Sequence, residues 1–218
     1  MTQEEQIKED KQRKLDHYRE ENRNIVPGQI VLTGSSLMEM FPVNKLLNEI
    51  GSNKIVYNRA IGGYVTSELS KVLDVCVFAL KPSRIFINIG TNDLSDSRIP
   101  LSQVIANYDS IITAIETALP KAEIYLMAYY PVNYDAAADY MKPCLEIRNN
   151  DKINAANEEV RKLADLHNER YIDINDKLKD DKGRLKAEYT LEGLHLNEQG
   201  YRAIFSDFMH YVTEASWK

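Results

Sequence analysis

The feature that most constrains the fold is a regular alternation of apolar runs of strand length with segments of helical period. The strand candidates are rich in β-branched and aromatic residues, which is the composition of buried strands. They are residues 29–33 (QIVLT), 54–58 (KIVYN), 84–89 (RIFINI), 123–128 (EIYLMA) and 170–174 (RYIDI). Because parallel neighbours need crossover connections, this alternation predicts a parallel sheet covered by helices on both faces. We therefore expect an α/β protein with a three-layer α/β/α architecture.

Helical segments separate the predicted strands. The clearest is 101–119, where apolar residues recur at i, i+3, i+4 and i+7 before Pro120. Similar patterns predict helices over 66–80, 151–168 and 197–214. Residues 3–23 have a helical composition but are almost entirely polar. We expect residues 1–25 to form a polar helix packed on one domain of residues 26–218, and an arm that contacts a partner is the alternative.

Composition narrows the class of protein. A chain of 218 residues can bury one substantial core and is short for two domains. With 27 Lys and Arg against 33 Asp and Glu, the net charge of −6 provides no basic surface for nucleic acid. Cys76 and Cys144 are expected to be reduced thiols rather than a disulfide.

The N-terminal segment also bears on location. It is dense in charges of both signs, and no run in the chain approaches ~18 apolar residues. We expect a cytoplasmic protein with no membrane span. Neither a metal nor a cofactor is expected, and a homodimer is left open.

Small, polar and titratable residues cluster where the predicted strands end. They are GSS at 34–36, NRAIGG at 58–63, GTND at 90–93 and, before the last helix, EGLH at 192–195. Each cluster alone has an ordinary interpretation as a turn, a helix cap or a structural histidine. Ligands of open parallel sheets, however, bind beyond the carboxyl ends of the strands. Together the clusters supply the hydroxyl, imidazole, carboxylate and hydrogen-bond donors that acyl transfer requires.

Four segments resemble the sequence blocks of the SGNH or GDSL-type esterases and lipases, and they occur in the same order along the chain. They are GSSL, NRAIGG, GTND and EGLHLN. The resemblance extends over nearly all of the chain after the first two dozen residues. It is closest to bacterial proteins similar to platelet-activating-factor acetylhydrolase, partly because YYPVN is followed by RNNDKIN. It implies a flavodoxin-like five-stranded parallel sheet, the SGNH hydrolase fold.

The resemblance also implies roles for individual residues. Ser36 matches the nucleophile, His195 the general base, and Glu192 the acid of the triad. The backbone N–H groups of Ser36 and Gly63 and the side-chain amide of Asn92 match the donors of an oxyanion hole.

Two positions depart from the family pattern, because Ser35 replaces an aspartate beside the nucleophile and Glu192 replaces the usual aspartate of the triad. Since glutamate is one methylene longer, it can orient the imidazole only if its loop lies further back or its side chain folds. The alternative is that Glu192 points to solvent and a backbone carbonyl holds His195.

The sequence indicates the substrate less clearly than it indicates the fold or the site residues. Residues 129–150 form a long connection that contains Tyr129, Tyr130, Tyr134 and Met141. These side chains either wall or cover the site, as a short acyl pocket or a sugar-stacking surface, or they pack the loop onto the sheet. The resemblance implies a serine ester hydrolase, and we expect its partner to be a small-molecule ester, an acetyl or other short-chain ester such as an acetylated carbohydrate. A lysophospholipase, a thioesterase, or a flavodoxin-like binding module that has lost catalysis are the alternatives.

Overall fold

A computed structural model describes residues 2–218, apart from the side chain of residue 3. Its centre is a five-stranded parallel sheet with the strand order β2-β1-β3-β4-β5. The strands are β1 (Ile30–Gly34), β2 (Val56–Asn58), β3 (Arg84–Asn88), β4 (Glu123–Met127) and β5 (Arg170–Ile172). The chain reverses its direction of winding between β1 and β3, so the crevice at their carboxyl ends is where such folds bind ligands. The predicted fold class is confirmed.

Helices cover the sheet on both faces. They are α1 (Gln3–Glu21), α2 (Ser36–Glu39), α3 (Val43–Glu49), α4 (Thr66–Leu69), α5 (Leu73–Cys76), α6 (Leu101–Ala118), α7 (Lys142–Ile147), α8 (Asn150–His167) and α9 (Glu198–Thr213). Short 3₁₀ turns lie at Asn22–Asn24, Phe78–Leu80, Asp93–Ser95, Asp176–Leu178 and Ala187–Tyr189. The predicted helices 101–119, 151–168 and 197–214 correspond to α6, α8 and α9.

The prediction of one helix over 66–80 is wrong. This segment contains α4, α5 and a 3₁₀ turn instead. The consecutive residues Val75, Cys76 and Val77 are all buried. Because successive side chains of a helix point about 100° apart, one straight helix cannot turn three neighbouring residues toward a single surface. The chain bends and buries them from several sides.

The core joins the helices to the sheet. On α6 the apolar stripe of Val104, Tyr108 and Ile112 is fully buried, as the helical spacing predicts. Phe208 of α9 packs against Phe86 of β3 with a distance of 4.9 Å between the ring centroids. In the described part of the chain, none of the helices combines the length and apolar composition that a membrane crossing requires.

The N-terminal segment forms α1, which begins at a capping box between Thr2 and Glu5. One apolar side chain of this helix, Leu15, is buried in the core. Residue 1 of the segment predicted as 1–25 lies outside the described residues.

Candidate active site

The turn after β1 brings Ser36 to the carboxyl end of the sheet. Gly34 adopts a φ of +139°, and a Cβ atom there would lie 2.0 Å from the carbonyl oxygen of Asn88. Only glycine therefore lets β1 end this close to β3. The Ser35 N–H donates to the same carbonyl at 3.2 Å, and Ser36 becomes the first residue of α2. This geometry explains why glycine precedes the two serines.

The two serines have different environments. The Ser36 Oγ is 2.9 Å from the Nε2 of His195, and the Ser36 residue is partly exposed. The Ser35 side chain is fully buried, and its Oγ has no hydrogen-bond partner within residues 2–218. Only Ser36 has both a neighbouring base and a route to solvent.

Glu192 is the second neighbour of the imidazole. Its Oε1 is 2.5 Å from the Nδ1 of His195 and also accepts the His195 backbone N–H at 3.2 Å. The glutamate side chain folds back across its own loop and is 8% exposed, against 25% for the histidine. The Gly193 carbonyl accepts the Asn133 N–H at 2.8 Å, which ties this loop to the segment after β4. The longer carboxylate thus reaches the imidazole by folding, and it does not point to solvent.

The loop after β2 contains Gly62 and Gly63. The Gly62 N–H donates to the Oε2 of Glu39 at 3.0 Å, so it is already occupied. For the Gly63 N–H, no acceptor is found among the residues that the structure describes, and Gly63 is exposed with a φ of +74°. Asn58 holds the start of the loop, since its Oδ1 accepts the Ala60 N–H at 3.1 Å. Of the two glycines, Gly63 is the one whose N–H remains available.

Asn92 lies in the loop after β3. Its Nδ2 donates to the carbonyl of Tyr64 at 2.9 Å, and its Oδ1 accepts from the Nη1 of Arg148 at 3.3 Å. The two contacts fix which way the amide faces, and one of its two N–H bonds has no acceptor among residues 2–218. Next in sequence, Asp93 accepts hydrogen bonds from the Thr66 N–H and hydroxyl, and burial raises the pKa of Asp93 although these bonds oppose the shift. The loops after β2 and β3 are therefore joined.

Arg148 is a residue of this region that the sequence did not single out. It is 4% exposed, and its Nε has no partner in the described range. Burial lowers the pKa of its guanidinium, and the nearby Cys144 and Glu192 oppose the shift. Its signal in the sequence is its place at the start of RNNDKIN, but no spacing rule connects that position with Asn92.

The proposed pocket residues differ in position. Tyr129 and Tyr130 are 0% and 2% exposed, and the Tyr129 hydroxyl donates to the Ile89 carbonyl at 2.7 Å. Burial raises the pKa of both phenols. Tyr134 is 43% exposed and its hydroxyl donates to Glu146, while Met141 packs partly buried against the core. For Tyr129 and Tyr130 the structure favours the packing alternative, because they present almost no surface to a ligand.

The two cysteines stand apart from this chemistry. Cys76 and Cys144 are both free, and burial raises the pKa of the Cys76 thiol to about 12.

Between residues 2 and 218, no three His, Cys, Asp or Glu side chains cluster as metal ligands would. The groups assembled at the sheet edge are those of acyl transfer, namely a hydroxyl, an imidazole, a carboxylate and free N–H donors.

The chain belongs to the GDSL-like lipase/acylhydrolase family, a class of carboxylic ester hydrolases. The family model matches residues 42–203, most of the chain, and the match begins just after Ser36. The resemblance seen in the sequence is therefore confirmed.

The chain is also similar to individual proteins. A Streptococcus pneumoniae structure described as a platelet activating factor is 31% identical, with a TM-score of 0.85, and the match covers 96% of this chain and 95% of that one. An acetylxylan esterase from Geobacillus stearothermophilus shares the fold at 17% identity and a TM-score of 0.65, over 88% of this chain and 98% of that one. An N-acylneuraminate cytidylyltransferase from Escherichia coli is 27% identical over 184 residues, which are 84% of this chain but only 40% of that protein.

Proposed function

We propose that this chain hydrolyses a short-chain acyl ester, most simply an acetyl ester of a small carbohydrate, through an acyl-enzyme on Ser36. The observation that carries the proposal is the unbroken contact series from the Ser36 Oγ to the His195 Nε2 at 2.9 Å and from the His195 Nδ1 to the Glu192 Oε1 at 2.5 Å. A hydroxyl, a base and an orienting carboxylate in this geometry form a nucleophilic triad.

The chemistry follows from the proposed roles. His195 takes the Ser36 proton as the serine oxygen attacks the ester carbonyl, and Glu192 stabilises the imidazolium that forms. The tetrahedral oxyanion accepts hydrogen bonds from the Ser36 and Gly63 backbone N–H groups and from the Asn92 amide. His195 then protonates the leaving alcohol, and the carbonyl re-forms as the acyl-enzyme.

Water completes the cycle. His195 removes one proton of the water while the water oxygen attacks the acyl carbon. The bond to the Ser36 oxygen then breaks, and the imidazole returns the proton to that oxygen. The products are the carboxylic acid, the alcohol and the original enzyme, so atoms and charges balance without a cofactor.

Two observations support a short acyl group on a sugar. The interior beside Gly90 is tightly packed, since a Cβ atom there would lie 2.4 Å from the Tyr129 hydroxyl, and we therefore expect no room for a long acyl chain on that side of the site. The names of two relatives concern carbohydrates, since one is an acetylxylan esterase and the other an N-acylneuraminate cytidylyltransferase.

A chain-length series tests this proposal. We would measure kcat/KM of the wild type and of Ser36→Ala on p-nitrophenyl acetate, butyrate and octanoate, and acetate release from acetylated xylo-oligosaccharides. We expect the acetate ester to be the best of the three and Ser36→Ala to be inactive. A preference for octanoate would favour the lysophospholipase alternative. A Ser36→Ala rate equal to that of the wild type would contradict the esterase proposal.

A further inference from the structure

We propose that the N-terminal helix α1 positions the loop that carries the oxyanion donor Gly63, and that Lys11 is its principal positioning residue. The inference rests on the proposed function, since it assigns a role to α1 within that reaction. It also accounts for a helix that is almost entirely polar and yet lies against the domain.

Lys11 makes the most direct contacts. Its Nζ donates to the carbonyl oxygen of Gly63 at 2.9 Å and to both carboxylate oxygens of Glu68 at 2.9 Å. Glu68 in turn accepts the Val65 N–H at 3.0 Å. The Lys11 side chain is 15% exposed, and its Nζ is 5.3 Å from the centroid of the Tyr64 ring. One ammonium group therefore holds the segment from Gly63 to Glu68 at both ends.

A second contact of α1 reaches the residue before Gly63. The Lys14 Nζ is 2.8 Å from the Oε1 of Glu39, whose Oε2 accepts the Gly62 N–H. Glu39 also lies on α2, three residues after Ser36, so it connects the nucleophile helix with the glycine loop. The lysine balances the charge of a carboxylate that would otherwise stand alone beside this loop.

A third contact extends the same face of α1. The Tyr18 hydroxyl donates to the carbonyl of Ala60 at 2.9 Å. Lys11, Lys14 and Tyr18 are spaced at i, i+3 and i+7, which places them on one side of a helix. This side contacts the 60–63 loop directly through the hydrogen bonds of Lys11 and Tyr18, and by way of Glu39 through the ion pair of Lys14. Polar contacts therefore supplement the single buried apolar side chain, Leu15, in docking this helix.

The glycine loop depends on such contacts. Gly62 and Gly63 have no side chains to pack and few restrictions on their backbone angles. The Gly62 N–H is fixed by Glu39 and the Gly63 carbonyl by Lys11, so the intervening Gly63 N–H is held from both sides. Because an oxyanion donor works only in a preorganised position, loosening either contact is expected to slow the chemical step.

The kinetic signature separates positioning from a structural role. The oxyanion forms in the transition state and not in bound substrate, so a displaced donor lowers kcat and leaves KM nearly unchanged. Since deleting a whole donor costs about 10²–10³ in kcat, loosening one is expected to cost about tenfold. Glu68 is 38% exposed and keeps its hydrogen bond from the Val65 N–H, so loss of the ammonium does not strand a buried carboxylate and the melting temperature should move little.

The test compares three variants of the full chain. Lys11→Met removes the ammonium, Lys11→Arg keeps a cation that can reach Gly63 and Glu68, and Lys8→Met makes the same change at an exposed position of the same helix. For each we would measure kcat and KM on p-nitrophenyl acetate per active site, titrated with an organophosphonate, together with hydrogen exchange of residues 59–66.

We expect Lys11→Met to lose about tenfold in kcat with an unchanged KM and faster exchange in the loop, and Lys11→Arg to recover part of the rate. A Lys11→Met kcat within about twofold of the Lys8→Met control would overturn the inference while leaving the proposed function intact. Failure of the proposed function would appear in the wild type, as an absence of hydrolysis and of reaction at Ser36.

Discussion

The two ends of the central sheet differ in how completely their buried polar groups are paired. At the amino ends of the strands, the buried carboxylates of Glu123 and Glu169 both have partners, which are the partly buried side chains of Arg84 and Lys218. Six buried side-chain atoms have no hydrogen-bond partner among the described residues, and they lie toward the carboxyl ends of the strands. They belong to Thr33, Ser35, Asn88, Tyr130, Arg148 and Asn175. Buried polar groups are normally paired, so a cluster of exceptions at one end calls for an explanation.

The amino end is a closed network. The Arg84 Nε donates to Glu123 at 2.6 Å, and its guanidinium also donates to the carbonyls of Tyr211, Val212 and Glu214. Burial opposes ionisation of Glu123, but bonds from Ser216, Trp217 and Arg84 outweigh it and lower the pKa of Glu123. Lys218 pairs with Glu169 in the same region. This end fastens the C-terminal segment to the sheet.

The carboxyl end is the candidate active site. The contact series from Ser36 through His195 to Glu192 lies there. Of the proposed oxyanion donors, the Gly63 N–H has no acceptor among residues 2–218, and the Asn92 amide donates only to the Tyr64 carbonyl in the same range. A site that must bind a changing charge keeps donors unoccupied in the resting state, and the unpaired Nε of Arg148 belongs to a side chain that contacts the proposed donor Asn92. The comparison teaches that the protein divides its polar interactions between stability at one end and proposed reactivity at the other. Variants at the two ends should therefore affect different measurements.

The largest effect is expected at Glu192. Glu192→Gln removes the charge that stabilises the imidazolium, so kcat should fall by up to about 10⁴, the loss that follows when the carboxylate of a chymotrypsin-type triad becomes an amide. Glu192→Asp should retain partial activity. Aspartate keeps the negative charge, but it is one methylene shorter in a loop whose geometry fits the glutamate side chain, so its carboxylate should contact the imidazole less closely. Glu188→Gln, an exposed neighbour, serves as the control. Steady-state kinetics on p-nitrophenyl acetate would count against the triad if Glu192→Gln behaved like Glu188→Gln.

Asn92 should have the next largest effect. Asn92→Ala removes a proposed oxyanion donor, and kcat should fall by about 10²–10³ with a nearly unchanged KM. Asn107→Ala is a matched control, since its amide donates to the Thr66 hydroxyl at 2.9 Å beside Asp93 but has no proposed contact with the oxyanion. Equal kinetic losses in both variants would mean that loop packing, and not a donor at Asn92, controls the rate.

At the opposite end, Arg84→Met should change stability and leave catalysis intact. Removing one partner strands the Glu123 carboxylate, which is 3% exposed, so the free energy of unfolding should fall by about 3 kcal/mol. Urea unfolding measures the loss, with Arg161→Met on the surface of α8 as the control. The kcat of the folded variant should match the wild type, and a large loss of kcat would show that the two ends are coupled.

The smallest effect concerns His167, which joins α8 to α6. Its Nδ1 is 2.9 Å from Glu116 and its Nε2 is 2.6 Å from Asp109. Burial lowers the pKa of His167, but the hydrogen bonds and charges of the two carboxylates outweigh it, so the net shift is upward. The stabilisation is therefore present below the ordinary histidine pKa and is lost as the pH rises through the raised value.

We expect His167→Gln to lower the free energy of unfolding by about 1 kcal/mol or less near pH 5.5, and by a smaller amount near pH 8.5. Denaturant unfolding at the two pH values tests this, with the exposed His17→Gln as a control. A larger loss at the higher pH would contradict the assigned direction of the pKa shift.

Much of this organisation could be predicted from the sequence. The strands follow from runs such as IVLT, because β-branched residues buried on both faces mark a parallel sheet. Their carboxyl ends converge by topology, which brings the loops of Ser36 and Asn92 to one edge, whereas His195 reaches Ser36 from the 190–196 loop before α9. The predicted helix over 66–80 failed because the pattern of apolar residues does not reveal that they are buried against several neighbours.

The supporting contacts could not be predicted. Lys11 meets Gly63 across 52 positions of sequence, and Arg148 meets Asn92 across 56. In the sequence, Lys11 is one more charge in a polar helix and Arg148 one more basic residue in a long connection. Only the folded chain shows that one cation is held against the glycine loop and that the other is buried. Similarly, whether Glu192 points to solvent or to the imidazole depends on how the 190–196 loop closes.

The central claim is that Ser36 is the activated nucleophile, and covalent labelling tests it most directly. We would treat the wild type, Ser35→Ala and Ser36→Ala with diisopropyl fluorophosphate, which phosphorylates an activated serine with loss of fluoride, and locate the adduct by intact mass and peptide mapping. The account predicts one adduct on Ser36 in the wild type and in Ser35→Ala, and none in Ser36→Ala. An adduct on Ser35, or an undiminished adduct in Ser36→Ala, would contradict it.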